Sequence, residues 1–156
     1  MTFILGAVPL DPEKVADLGS GQFVDEVLSL DKSIDLLVFP ECSLTGFYPT
    51  KASELALNEE KRFSDFFSGL AASLKTNVLA GAFRVTATGV QNQAVLFSSS
   101  GTEVVTYSKK NLFRLAGEDK FLSSGDDSIL TSVAGFAVSP KICYDLRFPD
   151  CFYDQA

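Results

Sequence analysis

The stretch NQAVLFSSSGTEVVTYSK, residues 92–109, reads as two β runs separated by SSSGT. Branched and aromatic residues fill both runs, and Ser and Gly fill the link, which is the composition of a hairpin. Upstream, strand and helix signals alternate instead. TFILGAV (2–8) reads as a strand. Asp11–Leu30 reads as an amphipathic helix, with Asp11-Pro12 fitting an N-cap and first turn. DLLVFPE (35–41) is a continuous apolar run ended by Pro40, the pattern of a buried strand. LTGFYPT (44–50) is a loop, and Ser53–Lys75 carries Leu55, Phe63, Phe66, Phe67, Leu70 and Leu74 at helical spacing. NVLAGAFRV (77–85) is the next strand. A βαβα order followed by a hairpin argues against a purely parallel sheet and for an α/β sandwich.

Beyond the hairpin, NLFRLAGEDKFLSSGDD (111–127) is a long loop, and loops held on a scaffold often carry function. SILTSVAGFAVSPKICYD (128–145) supplies two or three short strands, with Cys143 at the end of the last. RFPDCFYDQA (147–156) opens a helix that runs about two turns, so the chain is expected to be the N-terminal part of a longer one. Its 156 residues fit one domain, 1–156.

Composition narrows the function classes. A net charge of −7 argues against nucleic-acid binding, which needs clustered Lys and Arg, and against docking on anionic membranes. MTFILGAVPL (1–10) lacks a basic flank and reads as a strand rather than a signal peptide. No stretch approaches the roughly 18 apolar residues of a membrane span. The three cysteines, Cys42, Cys143 and Cys151, match no disulfide framework or zinc knuckle, so a reducing, cytoplasmic location is expected.

The chain contains no histidine. That removes Ser-His-Asp and Cys-His hydrolases and histidine-rich zinc sites. No phosphate-cradling glycine loop is present either. A thiol, carboxylates and lysines remain. A carboxylate can accept a thiol proton and return it to a leaving amine, and an ammonium can stabilise an oxyanion. Glu41, Lys109 and Cys143 each stand just past an expected strand, where α/β folds keep their sites. Each also has an ordinary reading: Cys143 as a core filler, Glu41 as a loop cap, Lys109 with Lys110 as a solvated pair. Asp145 reads as a turn or helix-cap residue.

Three motifs, in order, resemble those of the nitrilase, or carbon-nitrogen hydrolase, superfamily. LLVFPECSLTGFYP (36–49) resembles its glutamate block, YSKKNLF (107–113) its lysine block Tyr-x-Lys-x-His-Leu-Phe, and KICYDLRFPD (141–150) its cysteine block. Asn111 replaces the usual histidine, and Ser124 the common proline before the glycine. The resemblance implies an α-β-β-α sandwich, incomplete at the C-terminus here, that associates into homo-oligomers in its full-length form. It implies Glu41 as general base, Lys109 as catalytic lysine and Cys143 as nucleophile, with the Tyr144 backbone N–H in the oxyanion hole. Glu118, in EDKFLSSGD (118–126), would be a second, positioning glutamate. The implied reaction is hydrolysis of a small linear amide or nitrile through a thioester, without metal or cofactor. The CYDLRFP variant resembles amidases for small carboxylate-bearing amides, with Arg147 holding the carboxylate by a bidentate fork or, alternatively, paired to a loop acid. Two rivals stand beside this: a truncated, non-catalytic interaction protein or remnant, and an acyl or carbamoyl transferase using the same thioester.

Overall fold

A computed structural model describes residues 2–10, 25–27, 29 and 33–153. Five strands form one mixed sheet in chain order: β1 (Leu5–Ala7), β2 (Leu36–Val38), β3 (Asn77–Thr86), β4 (Gly89–Phe97) and β5 (Glu103–Ser108). The first three run parallel, and β3–β4 and β4–β5 are antiparallel. The expected hairpin is therefore β4–β5. The expected Asp11–Leu30 helix lies almost wholly outside the described residues, of which 25–27 are helical.

Helix α1 (Ala52–Leu74) makes the crossover that two parallel strands require. Ala56, Phe63, Phe67, Leu70 and Ala71 are buried, recurring at the spacing that lines one side of a helix. Lys75 ends the helix in the left-handed conformation, its N–H turned back to the carbonyls of Ala71 and Ala72. The buried face packs on Leu37, Val78, Ala80, Val95 and Phe97 of the sheet. Phe67 sits at its centre, within 5.0 Å ring to ring of Phe39, Phe63 and Phe66.

Strand neighbours alternate faces. Leu36, Val38, Leu79, Leu96 and Val105 therefore point away from α1, and they pack with Val133 and Val138. Those two belong to a separate antiparallel pair, β6 (Thr131–Val133) and β7 (Phe136–Val138). Helix, sheet and β-layer thus stack as α-β-β, the expected α/β sandwich, and β4 is buried along residues 91–97 because both its faces are covered.

One expectation is corrected. Cys143 does not end a strand: residues 139–142 lie outside any ladder, and Pro140, which has no N–H to give, stands among them. Cys143 instead opens a 3₁₀ turn, Cys143–Arg147, at φ 47°. A short helix, α2 (Asp150–Tyr153), follows.

Candidate active site

Three chain segments converge where the sheet meets its loops. Glu41 starts the turn that follows β2, three residues past the strand end. This turn lies directly on β3. The Ser43 N–H donates to the Gly81 carbonyl (2.8 Å), the Gly81 N–H donates to Ser43 Oγ (3.2 Å), and Ser43 Oγ donates to the Pro40 carbonyl. Gly81 is mid-strand because nothing larger fits. A Cβ there would stand 2.8 Å from the Cys42 nitrogen and 2.9 Å from the Glu41 Cα. Both are backbone atoms that cannot rotate away. Gly81→Ala is therefore expected to cost about 1–3 kcal/mol in urea unfolding, as overpacked sites do. It is also expected to displace the Glu41 turn.

Lys109 follows β5 directly, and its N–H donates to the Asn92 carbonyl at 2.8 Å. The Lys109 carbonyl accepts the N–H of Gly125 (2.9 Å), which packs so close that a Cβ would meet Ser108 at 2.5 Å. Lys109 is 1% exposed. Its Nζ donates to Glu41 Oε1 at 3.0 Å and to Glu118 Oε1 at 2.9 Å, and lies 5.6 Å from the Phe47 ring centroid. Glu118 is fully buried, and its other oxygen accepts the Phe113 N–H. The long loop folds back through this carboxylate, so the second glutamate is built in rather than solvated.

Burial pulls the Lys109 pKa down, but hydrogen bonds and charges from Glu118 and Glu41 outweigh it, and the net shift is upward. A raised folded value stabilises the fold fully below the unfolded pKa of about 10.4, and that contribution is lost as pH rises through the folded value. In Glu118→Gln the alkaline unfolding midpoint, followed by circular dichroism, is expected to move to lower pH.

Of the three free cysteines only Cys143 is exposed. Partial burial, with the Glu41 charge next, raises its pKa against the opposing pull of Lys109. The resting sulfur therefore keeps its proton and needs a base at the moment of attack. Cys42 is a different case: buried beside Glu41, its thiol is pushed well up, chiefly by desolvation.

The Cys143 turn is held from below by Asp145, which is fully buried. Its carboxylate accepts the Ile142 N–H (3.0 Å), the Tyr107 hydroxyl (2.7 Å) and both the backbone N–H and Nδ2 of Asn111 (2.8 and 3.0 Å). Asp145 is thus a cap, as its position in the turn suggests, and it also ties the lysine segment to the cysteine segment. Asn111 Nδ2 further contacts Cys151 Sγ at 3.0 Å. The Tyr144 ring makes a tilted contact with Phe113 (4.8 Å) and an edge-to-face contact with Phe148 (5.4 Å).

Arg147 closes the 3₁₀ turn and is exposed, with no ion pair among the described residues. The alternative of an internal salt bridge is therefore not the one adopted. Beside the turn lies a cleft of about 410 Å³, lined among others by Lys110, Arg114, Asp119, Tyr144 and Phe148. Among the described residues no cluster could hold a metal ion, and no helix is long and apolar enough to cross a membrane.

Asn92 and Gly81 are the site residues that sequence reasoning passed over. Gly81 carried a signal, since a lone glycine inside an apolar strand marks close backbone approach; Asn92, flanked by Gln91 and Gln93, carried none that set it apart.

The chain is similar to known amidases over part of their length. The chain is 34% identical over 127 residues to the omega-amidase YafV of Yersinia enterocolitica, covering 80% of this chain and 48% of that one. It is 30% identical over 120 residues to the 2-oxoglutaramate amidase of Bacillus subtilis, covering 76% of this chain and 46% of that one. The chain therefore spans about half the length of the curated relatives it matches. Its fold superposes with TM-score 0.74 and 21% identity on a glutamate-to-glutamine variant of the amidase from Nesterenkonia sp. AN1, over 95% of this chain and 58% of that one. That amidase variant carries acrylamide added at its active-site cysteine. The carbon-nitrogen hydrolase family model matches residues 17–154, and the chain belongs to that family.

Proposed function

We propose that this chain carries the catalytic half of an amidase that hydrolyses small linear amides through a thioester on Cys143. The observation that carries the reading is the buried Lys109, bound at once to Glu41 and Glu118, with an exposed Cys143 whose thiol feels the Glu41 charge. In the first step Sγ attacks the amide carbonyl carbon while its proton passes to Glu41. The carbonyl π electrons move to oxygen, and the Lys109 ammonium and the Tyr144 N–H stabilise the oxyanion. The intermediate collapses, the C–N bond breaks, and Glu41 returns the proton to the departing ammonia. Water, deprotonated by Glu41, then attacks the thioester, the C–S bond breaks, Glu41 returns that proton to the departing Cys143 sulfur, and the acid leaves. Glu118 acts throughout as the positioning carboxylate for Lys109.

The substrate class is an amide bearing a carboxylate at its far end. Arg147 supports this, being unpaired among the described residues and in the same turn as Cys143, so its guanidinium is available for a bidentate pair. The similarity to omega-amidases and 2-oxoglutaramate amidases points the same way. Exposed Leu146, Phe148 and Tyr153 on the rim suit a homo-oligomeric assembly of the whole protein, and three free thiols suit the cytoplasm.

The test is ammonia release from succinamate and 2-oxoglutaramate by the full chain and by Cys143→Ala. Release by the wild type and none by the variant is the expected result. No release by the wild type, the outcome for a non-catalytic relative, or equal release by both would overturn the proposal.

A further inference from the structure

The site assigns no task to a residue that touches both of its charged partners. Asn92 lies in the middle of β4, opposite Phe83, and is fully buried. Its carbonyl accepts the Lys109 N–H at 2.8 Å, and its Nδ2 donates to Glu41 Oε1 at 2.6 Å. Lys109 Nζ donates to that same oxygen at 3.0 Å. Two nitrogen donors thus converge on Oε1, and among the described residues none donates to Oε2. Each hydrogen bond to a carboxylate oxygen withdraws basicity from it, so the proton-accepting power of Glu41 is concentrated on Oε2.

The amide is also fixed in orientation. Rotated by half a turn it would place Oδ1 against the carboxylate, so only the arrangement with Nδ2 forward is favourable. The consequence is visible at the other end: Asn92 Oδ1 is buried with no hydrogen-bond partner. An orphaned buried acceptor is costly and uncommon. It persists here because the other end of the same amide serves the glutamate.

We propose that Asn92 is a positioning residue that fixes which oxygen of Glu41 takes the Cys143 proton. Together with Lys109 it pins Oε1 and leaves Oε2 as the oxygen without a competing donor among the described residues. The inference rests on the amidase reading above and adds a residue to it. The balance of the step is unchanged: S–H breaks, the proton joins Oε2, and the sulfur lone pair forms the C–S bond.

The test is the pH profile of kcat/KM for succinamate hydrolysis in the wild type, Asn92→Asp and Asn92→Leu. Both variants remove the donor, and the aspartate adds a like charge in nearly the same shape. The acid limb is expected to move to higher pH by about one unit, further in the aspartate than in the leucine variant. Turnover is expected to fall roughly ten- to hundredfold, with KM little changed. A purely structural asparagine would lower activity only in proportion to the folded fraction and leave the limb in place, which would overturn the inference while leaving the amidase reading intact. A wild type that releases no ammonia would overturn both. Should neither variant fold, nuclear magnetic resonance of the wild type decides the matter. The Asn92 side-chain amide protons are expected to titrate along the acid limb, and resonances that stay fixed would overturn the proposal.

Discussion

Lys109→Met is expected to destabilise the protein by about 3–5 kcal/mol in urea unfolding at neutral pH, the usual cost of breaking a buried ion pair from one side. The methionine fills the volume of the lysine stem, so a cavity does not account for the loss. The charge does. Glu118 is fully buried and relies on Lys109 Nζ and the Phe113 N–H. Without the ammonium it must stay ionised in a low-dielectric pocket or take up a proton, and either is unfavourable. Glu41 suffers less because its side chain is 22% exposed. A further outcome follows from the same cause. Adding Glu118→Gln to the methionine variant recovers part of the loss, so the two changes are not additive. A single-variant loss below about 1 kcal/mol would mean that the pair is solvated and behaves as surface pairs do.

Glu41→Gln is expected to lower amide turnover by about 10²–10⁴-fold, the range that general acid–base catalysis contributes. The substitution preserves shape and can still accept from Lys109, so folding is little affected. What disappears is the proton acceptor. The thiol is held protonated by partial burial and by the Glu41 charge. Removing that charge relieves one of the effects that raise its pKa, so the sulfur itself is not silenced. Cys143 of the variant is accordingly expected to remain open to acrylamide while losing hydrolysis. Ammonia release and peptide mapping on the same sample separate the two properties. Loss of both together would indicate that the glutamine had disturbed the Cys143 turn instead of removing a base.

Long periodic segments were readable from the sequence, and short irregular ones were not. The phenylalanine spacing in residues 53–75 announces α1 because one buried face must recur at helical intervals. The SSSGT link between two branched-residue runs announces β4–β5, and with it the mixed sheet. β6 and β7 are three residues each and lie in a segment without a sustained apolar run, so they could be counted only loosely. The left-handed Cys143 turn is invisible to periodicity because a non-glycine at positive φ contradicts local preference. Such strain collects at functional sites and is supported by its surroundings. Here the support is Asp145, whose four hydrogen bonds come from residues 107, 111 and 142. Glu41, Lys109 and Cys143 were nameable in advance because motifs carry residue types in order. The contacts that hold their segments were not, since they depend on Gly81 admitting the Glu41 turn and on the Asn92 carbonyl holding the Lys109 N–H.

The proposed hydrolysis requires a covalent bond between Cys143 and the acyl half of an amide. The direct measurement is rapid acid quench of the full chain during turnover of succinamate, followed by intact mass and peptide mapping. A succinyl group on the peptide containing Cys143, absent in Cys143→Ala and discharged by water on longer incubation, is the expected result. Ammonia release with no acyl group on any cysteine, or an acyl group on Cys42 or Cys151 instead, would contradict it.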